Sequence, residues 1–286
     1  MAVVNTNVSA AIAQSALARN DRALGTAMEQ LSTGRKINSA GDNASGLAIT
    51  ARMTSQIKGL DTAIRNANDA ISMISTAEGA LDEISNMLQR MRELAVQAGT
   101  GTTDSADRTY MNTEFSALRS EIDRIADNTQ WNGRNILDGS AGASTGKSTV
   151  AFQVGSDFKQ TISTTFGNFN NTTGKLSGLA SKVISGTTIT SAVLMASKSI
   201  VEIDVVIGDV SSQRATFGAV SNRLTHAVDN LTNVKTNAEA SRSRILDTDY
   251  AAATSELART QIIQQAGTAM LAQANQLPQT VLALLQ

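Results

Sequence analysis

The chain has no cysteine and a single histidine, His226. Disulfides and thiol chemistry are therefore excluded, as is any metal cluster or catalytic relay that needs more than one imidazole. One proline in 286 residues and an aromatic content of 3% leave few helix breakers and little material for a thick core. Together with abundant Ala, Gln, Ser and Leu, this suits narrow helical seams in an elongated molecule. A formal charge of -1 and a pI near 5.9 supply no strongly basic face for nucleic acid. The most apolar stretch, Ser191 to Gly208, is interrupted by Lys198, Glu202 and Asp204, so it falls short of the roughly 20 apolar residues of a membrane span. The segment from Met1 to Asn20 has neither the basic start nor the continuous apolar stretch of a cleavable secretion signal. A chain of this kind that leaves the cell is expected to use a dedicated apparatus. The lack of cysteine fits work outside the reducing cytosol and fits many cytosolic proteins equally.

Both ends carry a seven-residue period. From Thr260 to Gln286 there is no charged side chain, and Ile263, Met270, Leu277 and Leu284 recur every seventh position. At the other end Val3, Ala10, Leu17, Leu24 and Leu31 repeat at the same interval, with Met28 between them. A heptad stripe buries its apolar edge only against another helix, so the two stripes are expected to pair. An uncharged tail has little to prevent self-association while its partner is missing.

Between the ends, three- and four-residue spacings run from Ile57 through Leu60, Ile64, Ala67, Ile71, Ile74, Leu81, Ile84, Leu88 and Met91 to Ala95. They predict a helix of about 42 residues, roughly 60 Å long, ending near Gly99. Asp104 is placed to cap the next helix, whose Met111, Phe115, Leu118, Ile122 and Ile125 form one stripe. Trp131, Asn132 and Gly133 mark a turn. From Gly139 to Gly186 the composition shifts to Ser, Thr, Gly and Asn, with short alternations at Val150, Phe152, Val154 and at Phe158, Ile162, Phe166, which read as a hairpin. Beyond Thr190 the helical period returns from Ile203 to Ala238, for a second helix of about 50 residues. The expected fold is mainly α: long antiparallel helices from both ends form a coiled coil and bundle, with a small β-hairpin region in the middle. The expected domains are 1–42 with 246–286, a terminal coiled coil, and 43–245, a long-helix bundle carrying the hairpin around 139–186.

Several apparent chemical motifs dissolve in context. Ala141 to Ser148 satisfies a relaxed phosphate-loop pattern, but Thr149 to Val154 alternates like a strand where a helix would have to begin. A flexible Gly/Ser loop explains the run. His226 lies inside a long helical repeat, beside its seam. Asp247 and Asp249, near Arg242 and Arg244, suit helix capping and local pairing better than a metal site. Asn170 and Asn171 head N-x-T triplets, which arise often by chance. No cofactor is expected.

The segments Leu31–Ala40 (LSTGRKINSA), Gly59–Asp69 (GLDTAIRNAND) and Gln89–Gln97 (QRMRELAVQ) closely resemble bacterial flagellin. So do Ser212–Ala215 (SQRA), Ser241–Tyr250 (SRSRILDTDY) and Leu277–Leu285 (LPQTVLALL). The similarity spans roughly residues 1 to 140 and 200 to 286, and the short centre implies that large outer domains are missing. What the resemblance implies is a filament subunit for motility, exported unfolded through the flagellar secretion apparatus. It implies as partners other copies of the chain, an export chaperone on the C-terminal helices, and filament cap and hook-junction proteins. Polymerisation would fall to Leu17, Leu24, Leu31, Ile263, Met270, Leu277 and Leu284, with ends (about 1–40 and 248–286) that order only on assembly. Family members sensed by Toll-like receptor 5 use an Arg and a Leu on the QRxREL segment and a Glu on the following helix, here Arg90, Leu94 and Glu114. The same three can serve as contacts between subunits. The alternative is a soluble coiled-coil adaptor, which would carry charged flanks that are absent after Thr260. An enzyme lacks any plausible catalytic constellation.

Overall fold

Helix-forming residues and apolar spacing convert into five long helices in a computed structural model, which describes residues 7–142, 148–170, 174–179, 184 and 189–284, the last eight of these for backbone alone. In chain order they are α1 (Val8–Thr33), α2 (Ala44–Ala98), α3 (Ser105–Asn128), α4 (Ile189–Leu246) and α5 (Tyr250–Leu284). Between α3 and α4 lie β1 (Gln130–Trp131), β2 (Arg134–Asn135), β3 (Thr149–Gln153), β4 (Thr161–Thr165) and a short 3-10 turn at Ser177–Leu179. The helical period of α2 and α4 understated their lengths. They run to 55 and 58 residues, because turns such as 44–56 extend the helix ahead of the regular apolar stripe. Among the described residues no helix is long and apolar enough to cross a membrane.

The chain divides into two compact units, residues 1–57 with 236–286, and residues 58–235. Their boundaries fall inside α2 and α4, whereas the sequence pointed to the connections near 42 and 246.

In the unit of residues 58–235, the stripe read along α2 is the core. Ala67, Ile74, Leu81, Ile84, Leu88 and Met91 are at most 1% exposed and meet Phe115 and Ile122 of α3 and Ile203, Val206, Val210 and Phe217 of α4. Exposed ion pairs join α2 to α4 at Asp61–Lys235, Asp82–Arg214 and Arg92–Asp204, with N–O distances of 2.6, 3.0 and 2.7 Å. The interval from Asp61 to Asp82 equals that from Arg214 to Lys235, and Asp82 to Arg92 equals Asp204 to Arg214. The pairs thus mark one antiparallel register while each adds little stability in water. At the C-terminus of α2, Arg108 is 1% exposed and donates from Nε to the Ala98 carbonyl (3.1 Å) and from Nη2 to that of Thr100 (2.8 Å). Its positive charge sits where the helix end is negative. Asp104 occupies the N-cap of α3 as expected, with no side-chain capping bond.

Asn132 and Gly133 take φ of 49° and 75°, the pair of left-handed residues that a two-residue hairpin turn requires between β1 and β2. Strands β3 and β4 pair antiparallel, Thr149 with Thr165 through Gln153 with Thr161. Ile162 and Phe166 point into the core, where the Phe166 ring lies 5.1 Å from that of Phe217. Phe158 departs from the expected alternation. It lies in the reversal between the strands and is 89% exposed, because the side chain of Gln153 gathers the carbonyls of Gly155 and Asp157 (2.9 and 2.6 Å) and turns the chain before β4 starts.

Candidate assembly surfaces

In the unit formed by both ends, α1 and α5 pair antiparallel. The Asn7 side chain donates to the Ala274 carbonyl (2.7 Å), that of Asn20 to Thr260 (2.8 Å), and that of Gln264 to Asp21 (3.0 Å). Along α1 the buried or half-buried positions Ala10, Ala13, Leu17, Asn20, Leu24, Ala27 and Leu31 alternate steps of three and four, with Gln30 half-buried beside them. Along α5 Ala253, Leu257, Thr260, Gln264, Gly267, Leu271 and Ala274 follow the same alternation, with Glu256 half-buried beside them. This is a heptad seam with small residues at most layers. A Cβ on Gly267 would stand 3.2 Å from Leu17 Cδ1, so the helices approach closely there.

The expectation that two heptad stripes of large residues face each other holds for α1 and is corrected for α5. Leu17, Leu24 and Leu31 lie in the seam, half-buried. Ile263 and Met270 do not; they are 42% and 65% exposed. The seam of α5 runs one residue further along, through Gln264 and Leu271, with the small residues Thr260, Gly267 and Ala274 at the layers between and beyond them. Leu277 and Leu284 continue the outward heptad in sequence, and their side chains lie outside the described residues, as does Val3. Ile262, and on α1 Val8, Ile12 and Met28, are also open, each more than half exposed.

The end unit is closed by the link between α1 and α2. Gly34, at φ 69°, ends α1 with its N–H on the Gln30 carbonyl. The Lys36 amide donates to the Leu246 carbonyl (2.7 Å) and the Thr248 amide to that of Gly34 (3.0 Å). Asp42 accepts the amides of Ser39 (2.8 Å) and Asn38 (3.0 Å), which hold its carboxyl below the usual value. Asp249 caps α5 by accepting from the amides of Ala251 and Ala252, so the carboxylate pair near Arg242 and Arg244 includes a cap.

A second surface lies on α2 and α3. Arg90 donates from Nε to Glu114 (2.8 Å) and from Nη1 to Glu93 (3.1 Å). Glu114, then Glu93, pushes the guanidinium still higher in its charged range. Leu94 lies 2% exposed within the core, so of the three residues assigned to receptor contact only Arg90 and Glu114 stand on the surface. Sequence reasoning missed Arg108 and the cross-helix ion pairs, whose partners are far apart in the chain.

Among the described residues, no group of three or more His, Cys, Asp or Glu side chains is positioned to hold an ion. His226 is exposed on α4. The phosphate-loop pattern runs straight into β3, and its residues 143–147 lie outside the described ones, as does Asn171.

Comparison with known proteins gives consistent matches. Residues 4–142 match the family described as the bacterial flagellin N-terminal helical region, and residues 200–285 the bacterial flagellin C-terminal helical region. The chain is 43% identical to the flagellin of Halalkalibacterium halodurans, over 99% of this chain and 100% of that one. It is 41% identical to the flagellin of Bacillus subtilis, over 99% of each. Among solved structures, a putative flagellar hook-associated protein from Vibrio parahaemolyticus shares the fold, with a TM-score of 0.60 at 15% identity, over 72% of this chain and all of that one.

Proposed function

The chain belongs to the bacterial flagellin family and is a structural subunit of the extracellular flagellar filament, not an enzyme; on that premise we propose that burial of the outward face of its end unit drives polymerisation. The observation that carries this is the open stripe of Ile263 and Met270, beside Ile262, on a helix whose inner seam is already filled. Leu17, Leu24 and Leu31 hold α1 against α5. Ile263 and Met270, with Leu277 and Leu284 in the same heptad, are what a neighbouring copy covers. Each large aliphatic side chain fully buried adds about 1.5 to 3 kcal/mol, and that gain exists only where neighbours are present.

The same logic makes the isolated subunit loose at its ends, about 1–40 and 248–286. Replacing Ile263 and Met270 together by Ser is expected to abolish fibres in sedimentation and electron microscopy while the core of residues 58–235 melts unchanged. Fibres of normal length from that variant would overturn the proposal. Fast amide exchange at both ends of dilute monomer, and slow exchange in the fibre, would support it.

The uncharged segment from Thr260 onward is the natural hold for an export chaperone, since exposed aliphatic residues there need cover before assembly. Export through the flagellar secretion apparatus and addition beneath a cap, beyond hook-junction proteins, complete the reading. For the monomer we assign recognition by Toll-like receptor 5 to the surface around Arg90 and Glu114, with Leu94 supporting it from below. Receptor signalling that stays unchanged when Arg90 and Glu114 are both replaced by Ala would remove this assignment.

A further inference from the structure

The one proline of the chain, Pro278, lies inside the helical span of α5. In an α-helix the amide of each residue donates to the carbonyl four positions earlier, so the carbonyl that Pro278 leaves without its helical donor is that of Ala274. Ala274 is 8% exposed and lies in the seam, where an unmet carbonyl is costly. The other end of the chain meets the demand. Asn7 donates from Nδ2 to the Ala274 carbonyl at 2.7 Å, across 267 residues of sequence.

The same side chain uses its other atom locally. Asn7 Oδ1 accepts the Ala10 amide (3.0 Å) and caps α1. Asparagine can do both because its amide carries a donor and an acceptor; an ionised aspartate, an equally good cap, has no donor to give. Asn20 offers the contrast. It too donates to a carbonyl of α5, that of Thr260 (2.8 Å), but residue 264 is Gln and has a backbone amide for that carbonyl. The Asn20 bond supplements a complete helix, whereas the Asn7 bond replaces a missing one.

We propose that Asn7 and Pro278 form one positioning device for assembly: the proline opens α5 at Ala274, and the Asn7 amide closes it in the single register that brings the start of α1 to that point. A slip of one helical turn would set Asn7 against a carbonyl that already has its donor and leave Ala274 with none. The pair therefore rejects registers that a seam of small residues would otherwise accept, as a lone polar residue does in a coiled coil. A helix that lacks a bond at a proline kinks there. With the bond supplied from α1, the heptad that starts at Ile263 and Met270 continues along one helix past residue 278. The inference rests on the reading that burial of this heptad drives polymerisation, and adds which residues aim it.

The test is a double-mutant cycle on the full chain, read as the critical concentration for polymerisation by sedimentation. Asn7→Ser keeps a capping oxygen but loses the amide that reaches Ala274, and is expected to raise this concentration about tenfold. In a Pro278→Ala chain, residue 278 has its own amide for Ala274, and the same Asn7→Ser change should raise it less than about twofold. Asn20→Ala should have the same effect in both backgrounds. An Asn7→Ser effect that is equal with and without the proline overturns the proposal. A second measurement needs no change at 278. In fibres followed by solid-state NMR, the Ala274 carbonyl carbon should shift on Asn7→Ser and stay in place on Asn20→Ala; a resonance that ignores Asn7 overturns the proposal as well. Normal fibres from the Ile263 and Met270 double variant would instead sink the end-unit reading alone, because the coupling and the carbonyl shift report the Asn7 bond whichever surface drives assembly.

Discussion

The two units of this chain solve the same packing problem with different materials. The unit of residues 58–235 encloses Phe115, Phe166, Phe169 and Phe217 with a continuous aliphatic stripe, all close to 0% exposed. The unit of the two ends has a single seam. In α1 only Asn20 and Ala27 are buried, the seam leucines are half-buried, and Val8, Ile12 and Met28 of α1 and Ile262, Ile263 and Met270 of α5 face out. A large side chain buried on all sides contributes several times what a half-buried alanine does. The difference teaches where the stability of a subunit resides: the aromatic unit can stand in the monomer, whereas the end unit has withheld its apolar surface for neighbours.

The comparison breaks most simply by removing one side of it. A chain ending at Leu246 loses α5 and hence the seam partner of α1. We expect no fibres at any concentration and an unchanged melt of the 58–235 unit by calorimetry. Fibre growth by that truncated chain would mean that the end unit is dispensable.

Substitutions sharpen the contrast. Phe217→Ala removes a ring that packs on Phe166 and should destabilise the monomer by about 3 to 5 kcal/mol, read as a lower melting temperature. Leu17→Ala trims a half-buried residue in the seam. Its cost to the monomer melt should be well under half of that, while its effect on polymerisation should exceed that of Phe217→Ala at a temperature where both are folded. Equal effects on melting and assembly from both variants would erase the distinction between the units.

Much of this was legible in the sequence because helical period is a local signal. The stripe from Ile57 to Ala95 located the core of α2, the turn at Trp131, Asn132 and Gly133 marked the first hairpin, and the change of composition after Gly139 located the second. What escaped was information carried across the chain. Gly267 and Thr260 have no apolar signature, yet they form the seam because closeness of approach rather than hydrophobicity selects them. Ile263 and Met270 drew attention as large residues at heptad spacing and turned out to face outward. Arg108 looks like any surface arginine until the end of α2 is seen to place its carbonyls around it. Phe158 read as one step of a strand alternation, since nothing in the sequence shows that Gln153 will fold the loop back on itself.

The smallest effect concerns the link that closes the end unit. Asp42 accepts the amides of Ser39 first, and then Asn38, and these bonds favour its charged form, so its carboxyl titrates below the usual 3.8. A depressed carboxyl contributes stability that is fully present above its unfolded value and is lost as pH falls through the lower folded value. Acid should therefore act on this loop only below about pH 4, by protonating the acceptor that holds 38 and 39 in place. Amide resonances of Ser39 and Asn38 followed by NMR should shift together with a midpoint under 3.8, and Asp42→Asn should abolish the shift. Because the same loop sends its Lys36 amide to the Leu246 carbonyl, the Lys36 resonance should follow with the same midpoint. A midpoint at or above the usual carboxyl value would show that the loop does not depend on the charge of Asp42, and that the end unit is held by its backbone bonds and seam alone.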